Sequence, residues 1–229
     1  LRIATGESLP QLLHDHVFAK AGMPSSYYPE NPQTDTALPG DGMTGYTYPL
    51  SGGAAVCEAG AVEVPKVSPS MLAGAGATVT TVTDLKNFYA RYLGGGFGEG
   101  SAELITAAVS TDNPERDENG DPLAAEEGAE PDPSARLWGF GLEQIETLYG
   151  MSGAMTGTIT AAYHDPASGF SVVVALNNST AGANFARTLA LQLAALGGAQ
   201  VSWTAEDQAA ALASIAVCPA AEGETATEE

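Results

Sequence analysis

One short segment of the chain combines a hydroxyl side chain with residues that carry little or no side chain. It spans Tyr149–Gly157 and reads YGMSGAMTG. Glycine lets a strand edge lie close to a bound ligand. Ser152 offers a hydroxyl, and bare backbone N–H groups nearby could bind an oxyanion. The residues alone also fit a glycine-rich strand start without any ligand, so both interpretations stay open at this point.

Other nucleophile and nucleotide motifs are absent from the 229 residues. There is no G-x-S-x-G, no G-x-x-x-x-G-K-[ST], no H-E-x-x-H and no G-x-G-x-x-G before a helix. A serine three residues before a lysine would place the amine where it can take the hydroxyl proton, but no such pair occurs. Thr83 and Lys86 have this spacing, yet Thr83 stands where a helix cap belongs.

Metal and cofactor sites are not expected either. His14 and His16 are two residues apart on a predicted helix, so they point away from each other, and His164 stands alone where a strand meets a turn. Asp117–Asp121 resembles the start of a calcium loop, but the sixth position is proline and the twelfth is glycine. We therefore expect no metal and no cofactor.

The charge of the chain excludes several classes of partner. Eight Lys and Arg oppose 28 Asp and Glu, which gives a formal charge of -20. Nucleic acid and anionic membrane surfaces would be repelled, and no uninterrupted apolar stretch is long enough for a membrane span. The two cysteines, Cys57 and Cys218, are either buried thiols or one disulfide, and the acidic, lysine-poor composition fits a secreted protein.

Hydrophobic periodicity predicts an α+β fold, because the strands cluster instead of alternating with helices. The segment 165–169 is predicted to be a turn. Predicted helices cover 8–20, 82–93, 101–109, 181–196 and 205–216, and predicted strands cover 137–146, 155–164 and 170–176. Ser8 and Gln11 predict a capping box at the first helix, Thr81 or Thr83 can cap the second, and Thr204 the last.

Composition divides the chain into four parts. Residues 1–110 form a helical part with a long irregular connection, and 111–136 form an acidic mobile insertion. Residues 137–217 hold the sheet strands and C-terminal helices, and 218–229 form a loose acidic tail.

Five landmarks in order give the chain a family resemblance. They are Thr5–Leu9, Thr81–Leu85, Gly139–Leu142, Tyr149–Gly153 and Val172–Asn177. Together they resemble the C-terminal part of the class C β-lactamase and D-alanyl-D-alanine carboxypeptidase family, and above all its secreted D,D-peptidases. The resemblance implies a β-lactamase/transpeptidase-like fold, with a partial antiparallel sheet flanked by helices. It also implies an extracytoplasmic location and a serine that is acylated by a peptide or lactam carbonyl.

The resemblance also assigns candidate binding residues. The family's third box lies on the strand that lines the cleft and maps onto Met151, Ser152 and Gly153, and the oxyanion-binding N–H maps onto Ala154. A peptide or β-lactam-like substrate, such as a peptidoglycan stem peptide, is the implied partner. Met151 replaces a lysine or histidine of the family, and methionine neither attracts a carboxylate nor donates a strong hydrogen bond.

A second departure concerns catalysis. The family's Ser-x-x-Lys and Tyr-x-Asn boxes lie upstream of the helix that begins near Ser8, so we expect no catalytic residue in this chain and a missing N-terminal segment. The chain is then the C-terminal portion of a serine hydrolase, inactive alone. One alternative is a non-catalytic protein that binds peptidoglycan peptides or a protein partner. Another is a self-contained acidic interaction domain.

Overall fold

The computed structural model describes residues 2–30, 42–64, 72–110 and 137–218. The predicted acidic insertion 111–136, with its calcium-like run, lies outside these residues, as does nearly all of the predicted tail. The proposed division into four parts therefore stays a prediction. No helix in the described ranges has the length and apolar character needed to cross a membrane.

A six-stranded antiparallel sheet is the central element. Each of its six strands pairs with its neighbour in sequence, so the spatial order follows the chain order. The α+β prediction is confirmed. The strands are β5 (Val109–Ser110), β6 (Leu137–Gly139), β7 (Leu142–Ile145), β8 (Leu148–Met155), β9 (Thr158–His164) and β10 (Ser171–Leu176).

Tight turns divide the chain more finely than the sequence predicts. The predicted strand 137–146 is wrong as a single element, because Phe140 and Gly141 both have positive φ and turn the chain back between β6 and β7. The predicted strand 155–164 is wrong at its start. Met155 ends β8, and a turn at Gly157, with φ of 95°, separates it from β9. The predicted strand 170–176 is confirmed within one residue.

One helix covers a face of the sheet, and a second helix packs on the first. α6 (Gly182–Leu196) presents Ala186, Ala190 and Ala194, which are fully buried, and these small residues let the helix lie close to the strands. α7 (Ala205–Ile215) packs against α6 and begins at a capping box made by Thr204 and Asp207. Both helices match their predictions within one residue. The strand side chains buried with α6 are Ile145, Leu148, Ile159, Ala161, Tyr163, Val172 and Val174.

The opposite face of the sheet packs against α4 (Val82–Leu93), whose cap is Thr81 and not Thr83, the other threonine that the sequence offers for this role. Tyr89 and Leu93 of this helix are buried with Ala162 of β9. The following helix, α5 (Ser101–Thr106), is shorter than the predicted 101–109 because the chain enters β5 at Val109.

The N-terminal helices form a smaller cluster beside α4. α1 (Arg2–Thr5) precedes a longer helical stretch made of α2 (Leu9–Leu13), a π-helical segment (His14–Phe18) and α3 (Ala19–Ala21). Ser8 accepts a hydrogen bond from the Gln11 N–H, as the predicted cap requires. The Gln11 side chain bonds to Asp15 instead, so only half of the predicted capping box forms.

The described part of the irregular connection, 42–64, lies against one end of the sheet. It contains two short pairs of strands: β1 (Tyr46–Thr47) with β4 (Val62–Glu63), and β2 (Leu50–Ser51) with β3 (Ala54–Ala55). The Tyr46 N–H donates to the carbonyl of Asn177, 2.8 Å away, just after β10.

A disulfide joins this connection to the end of the described chain. Cys57 and Cys218 are bonded, with their Cα atoms 5.2 Å apart, which selects the disulfide over two free thiols. It closes a separation of 161 residues and ties the connection to the segment that follows α7.

Candidate functional site

The second half of β8 has a neighbouring strand on one side only. β7 pairs with Leu148–Gly150, whereas β9 pairs with Tyr149–Met155. On the β7 side, no strand within the described ranges pairs with Met151–Met155. We call this stretch the open edge. It contains all four residues predicted from sequence to bind substrate, so the structure brings them together on one exposed border of the sheet.

Two tight turns fix the hydrogen-bonding register of β8. The turn before the strand closes on the pair Ile145–Leu148, and the turn after it closes on the pair Met155–Thr158. A two-residue hairpin closes on a pair that exchanges both backbone hydrogen bonds, and such pairs alternate with non-bonded pairs along the ladder. Both turns give the same result for β8: even-numbered residues bond towards β7 and odd-numbered residues bond towards β9.

This register determines which backbone groups of the open edge are available. Met151, Gly153 and Met155 use their N–H and C=O groups in the ladder with β9. Ser152 and Ala154 direct theirs to the side where β7 has ended. Two N–H donors, about 7 Å apart along the strand, therefore face outward from the edge, and each can donate a hydrogen bond to a bound ligand.

The side chains of the open edge alternate between the two faces of the sheet. Met151 lies opposite Ala162, on the face covered by α4, and it is 40 % exposed. Ser152 and Ala154 lie opposite Ala161 and Ile159, on the face covered by α6. The Met151 and Ser152 side chains thus point to opposite sides of the strand.

A buried polar network lies behind the open edge on the α6 face. Glu143 of β7 is fully buried, and it accepts hydrogen bonds from the Tyr163 hydroxyl and from Arg187 Nε, the latter at 3.3 Å. The Ser152 side chain, two residues along β8 from Gly150, lies on the same face of the sheet as this network. Burial and then the nearby Glu143 carboxylate raise the pKa of the Tyr163 phenol, so the phenol stays protonated and can donate.

Gly150 leaves room for this network. Tyr163 is its cross-strand partner, and a Cβ atom on Gly150 would lie 2.5 Å from Cδ1 of the tyrosine ring. The ring therefore lies across β8, and its hydroxyl reaches Glu143 on the strand beyond. The glycine that sequence analysis considered for close ligand approach serves close approach of an aromatic ring.

Two other segments border the open edge. The turn between β6 and β7 lies where β7 stops pairing, and its Phe140 is 56 % exposed. The Phe140 carbonyl accepts a hydrogen bond from the Tyr92 hydroxyl of α4, at 3.1 Å. At the far end, Gly157 contacts Gly45 of the irregular connection. This places the irregular connection beside the end of the open edge.

His164 lies away from the open edge. It is buried and bonded through Nδ1 to the Ser171 hydroxyl at 2.7 Å, and it pairs with Tyr149. Ala154 lies five residues further along β8, which is about 17 Å for an extended strand. This serine–histidine pair is therefore not part of the open edge. In the described ranges, no group of three or more His, Cys, Asp or Glu residues is placed to hold a metal.

Sequence analysis missed Glu143, Tyr163 and Arg187. The available signal was an acidic residue inside the apolar strand LEQI, because a carboxylate at a buried strand position needs a partner. Which residues supply that partner depends on β-strand register and on helix packing, which local sequence does not specify.

Comparison with known proteins places this arrangement in a family. The family model described as Beta-lactamase matches residues 1–196. The chain belongs to the beta-lactamase family. Among curated proteins, none matches the chain.

Three solved structures share the fold of this beta-lactamase family member. A D-stereospecific amidohydrolase from Streptomyces sp. has a TM-score of 0.58 at 18 % identity, over 77 % of this chain and 46 % of that one. A penicillin binding protein from Bacillus halodurans has a TM-score of 0.53 at 20 % identity, over 84 % and 52 %. A D-amino acid amidase from Ochrobactrum anthropi SV3, complexed with L-phenylalanine amide, has a TM-score of 0.56 at 15 % identity, over 93 % and 53 %.

These matches confirm the resemblance that the five landmarks indicate. The β-lactamase/transpeptidase-like fold is established by the family match and by the structural similarity. This beta-lactamase family chain spans about half the length of the solved structures it resembles. The roles of Met151, Ser152, Gly153 and Ala154 stay predictions.

Proposed function

We propose that the open edge of β8 is one wall of an acyl-transfer cleft in an extracytoplasmic serine hydrolase. The nucleophile and its base then lie outside these 229 residues, since the chain has no Ser-x-x-Lys pair. Membership of the beta-lactamase family supports this proposal. The disulfide between Cys57 and Cys218 supports an oxidising location, where such bonds persist.

The outward-facing amide of Ala154 carries the proposal. In acyl transfer the nucleophile oxygen bonds to the substrate carbonyl carbon, and the carbonyl oxygen becomes an oxyanion. The Ala154 N–H donates a hydrogen bond to that oxyanion. The amine then leaves with a proton, and water later displaces the acyl group from the serine. A donor held in place before the reaction stabilises the transition state without reorganisation.

An extended peptide or a β-lactam-like amide is the substrate that fits this edge. Backbone amides and carbonyls of a peptide pair with the unpaired groups of a strand edge. Met151 adds an apolar, uncharged surface, 40 % exposed, so we propose that the group bound beside it is uncharged. D,D-carboxypeptidase-like cleavage of a peptidoglycan stem peptide is the finer form of the proposal. In that case the terminal carboxylate is bound by residues other than Met151.

The test is acylation of the protein isolated from its natural source. Intact mass is measured with and without a fluorophosphonate and a penicillin, and the labelled peptide is located by proteolysis. We expect one adduct, on a serine outside residues 1–229, and none on heat-denatured protein. An adduct on a serine within residues 1–229 would overturn the proposed division of the site.

A non-catalytic binding protein is the second candidate. Met151 favours it, because a methionine at the cation position removes a charged contact to substrate. This candidate predicts no adduct with either reagent, together with measurable binding of a peptidoglycan stem peptide by calorimetry.

A further inference from the structure

The network behind the open edge buries two charged side chains, and stability alone does not explain why they are there. Glu143 is fully buried, and the side chain of Arg187 is 17 % exposed. The free energy lost when both charged groups leave water offsets much of their electrostatic attraction. A pair of well-packed apolar side chains in the same place often gives a fold that is just as stable. An ion pair in such a place calls for a role in fixing conformation.

The network lies at the point where β7 stops pairing with β8. Arg187 on α6 donates a hydrogen bond to Glu143, which forms the last pair between β7 and β8 before the open edge begins. Glu143 holds the Tyr163 hydroxyl, and the Tyr163 ring crosses the strand at Gly150. Gly150 is the last residue of β8 before the open edge, and Ser152, whose amide is the first to face outward, follows two residues later.

We propose that Glu143 and Arg187 are positioning residues, which act through Tyr163 to fix the backbone of β8 at Gly150, where the open edge begins. Among the described strands the open edge pairs only with β9, and the Tyr163 ring across Gly150 supplies a second attachment from the α6 face. The consequence for acyl transfer rests on the proposed function: the Ala154 N–H stays aligned because the strand that carries it cannot rotate about the β9 ladder.

Amide hydrogen exchange tests the positioning role without any catalysis. Tyr163→Phe keeps the ring over Gly150 and deletes the hydroxyl. Val174→Ala, also on the α6 face, serves as the control for general loss of packing. We expect Tyr163→Phe to speed exchange at Met151 and Gly153 by about tenfold more than Val174→Ala does, after correction for global stability, since one hydrogen bond is lost. Equal exchange in the two variants would overturn the proposal.

Glu143→Gln serves as the conservative variant. Its amide oxygen still accepts from Tyr163, so we expect exchange at Met151 and Gly153 to stay closer to wild type than in Glu143→Leu. Identical exchange in the Gln and Leu variants would contradict a role that runs through the tyrosine.

Acylation of the natural protein gives the second measurement. Tyr163→Phe should lower the acylation rate constant and leave the dissociation constant of the non-covalent complex unchanged. If wild-type protein forms no adduct, the proposed function fails, while the exchange experiment still decides the positioning role.

Discussion

The two halves of β8 differ in almost every physical respect although they belong to one strand. Tyr149 and Gly150 pair with both β7 and β9, Leu148 pairs with β7, and both Leu148 and Gly150 are buried. Among the described strands Met151–Met155 pairs with β9 alone, and Met151 and Ala154 are exposed. One half is held on both sides, and the other offers unpaired backbone groups.

The comparison also separates the two glycines of this strand, Gly150 and Gly153, because only the first is tightly packed. Gly150 is buried under an aromatic ring. At Gly153 the nearest atom to an added Cβ would be Thr160 Oγ1, 3.8 Å away, which is ordinary contact. The first glycine is required by packing, whereas the second leaves open space beside an exposed edge.

The largest expected effect on stability comes from the ion pair between Arg187 and Glu143. It lies behind the first half of β8, Leu148–Gly150, which we call the closed half. Arg187→Met leaves Glu143 buried without its cation, so we expect a loss of about 3–5 kcal/mol in the free energy of unfolding. Urea unfolding followed by circular dichroism measures it. Lys86→Met, at an exposed lysine of α4, is the matched control and should change stability by less than about 0.5 kcal/mol. Equal losses of unfolding free energy in the two variants would mean that the ion pair stabilises the fold no more than an exposed lysine does.

The next largest effect on stability distinguishes Gly150 from Gly153. Gly150→Ala forces the new methyl group against Tyr163 and the Ala162 carbonyl, and we expect it to destabilise the protein by about 3 kcal/mol. Gly153→Ala meets no such contact and should change stability by less than about 1 kcal/mol. Similar losses at the two positions would contradict the contrast between the closed and open halves.

The smallest effect concerns His164, opposite Tyr149 in the closed half. Burial lowers the pKa of its imidazole below the ordinary 6.5, so the unfolded chain binds a proton first as the pH falls. Stability should therefore be fully present above pH 6.5 and decline as the pH falls towards the folded-state pKa, with a slope below about 1.4 kcal/mol per pH unit for one group.

His164→Gln, measured by urea unfolding from pH 7.5 to 5, should reduce this slope. Asp165 titrates in a separate range. Although burial opposes its charged form, hydrogen bonds from Ser168 and from the Ala167 and Ser168 amides keep its pKa below 3.8. A slope unchanged by the His164 substitution would show that the histidine is not the group responsible.

Local signals in the sequence predict most of the helices and the family. The caps at Thr81 and Thr204 and the apolar periodicity of α4, α6 and α7 fix those elements within one residue, because caps and periodicity are local properties. The five landmarks identify the family for the same reason: each is a short run that can be read in isolation.

The strand divisions and the polar network could not be predicted in this way. Alternating residues run through the Phe140–Gly141 and Thr156–Gly157 turns, so the pattern reads as continuous strand. The meeting of Glu143, Tyr163 and Arg187 depends on the register of three strands and on where α6 packs. The four candidate residues are found from sequence, but the open edge that exposes them requires knowing where β7 ends.

The most direct test of the account is removal of the Ala154 N–H in the natural protein. Ala154→Pro deletes that donor, and proline is tolerated on an edge strand where its N–H would face solvent. Ala154→Gly keeps the donor and serves as the control. We predict that Ala154→Pro lowers the acylation rate by about 10²–10³ relative to Ala154→Gly, as loss of one oxyanion donor does. Equal acylation rates in the two variants would contradict the claim that the open edge of β8 stabilises the oxyanion.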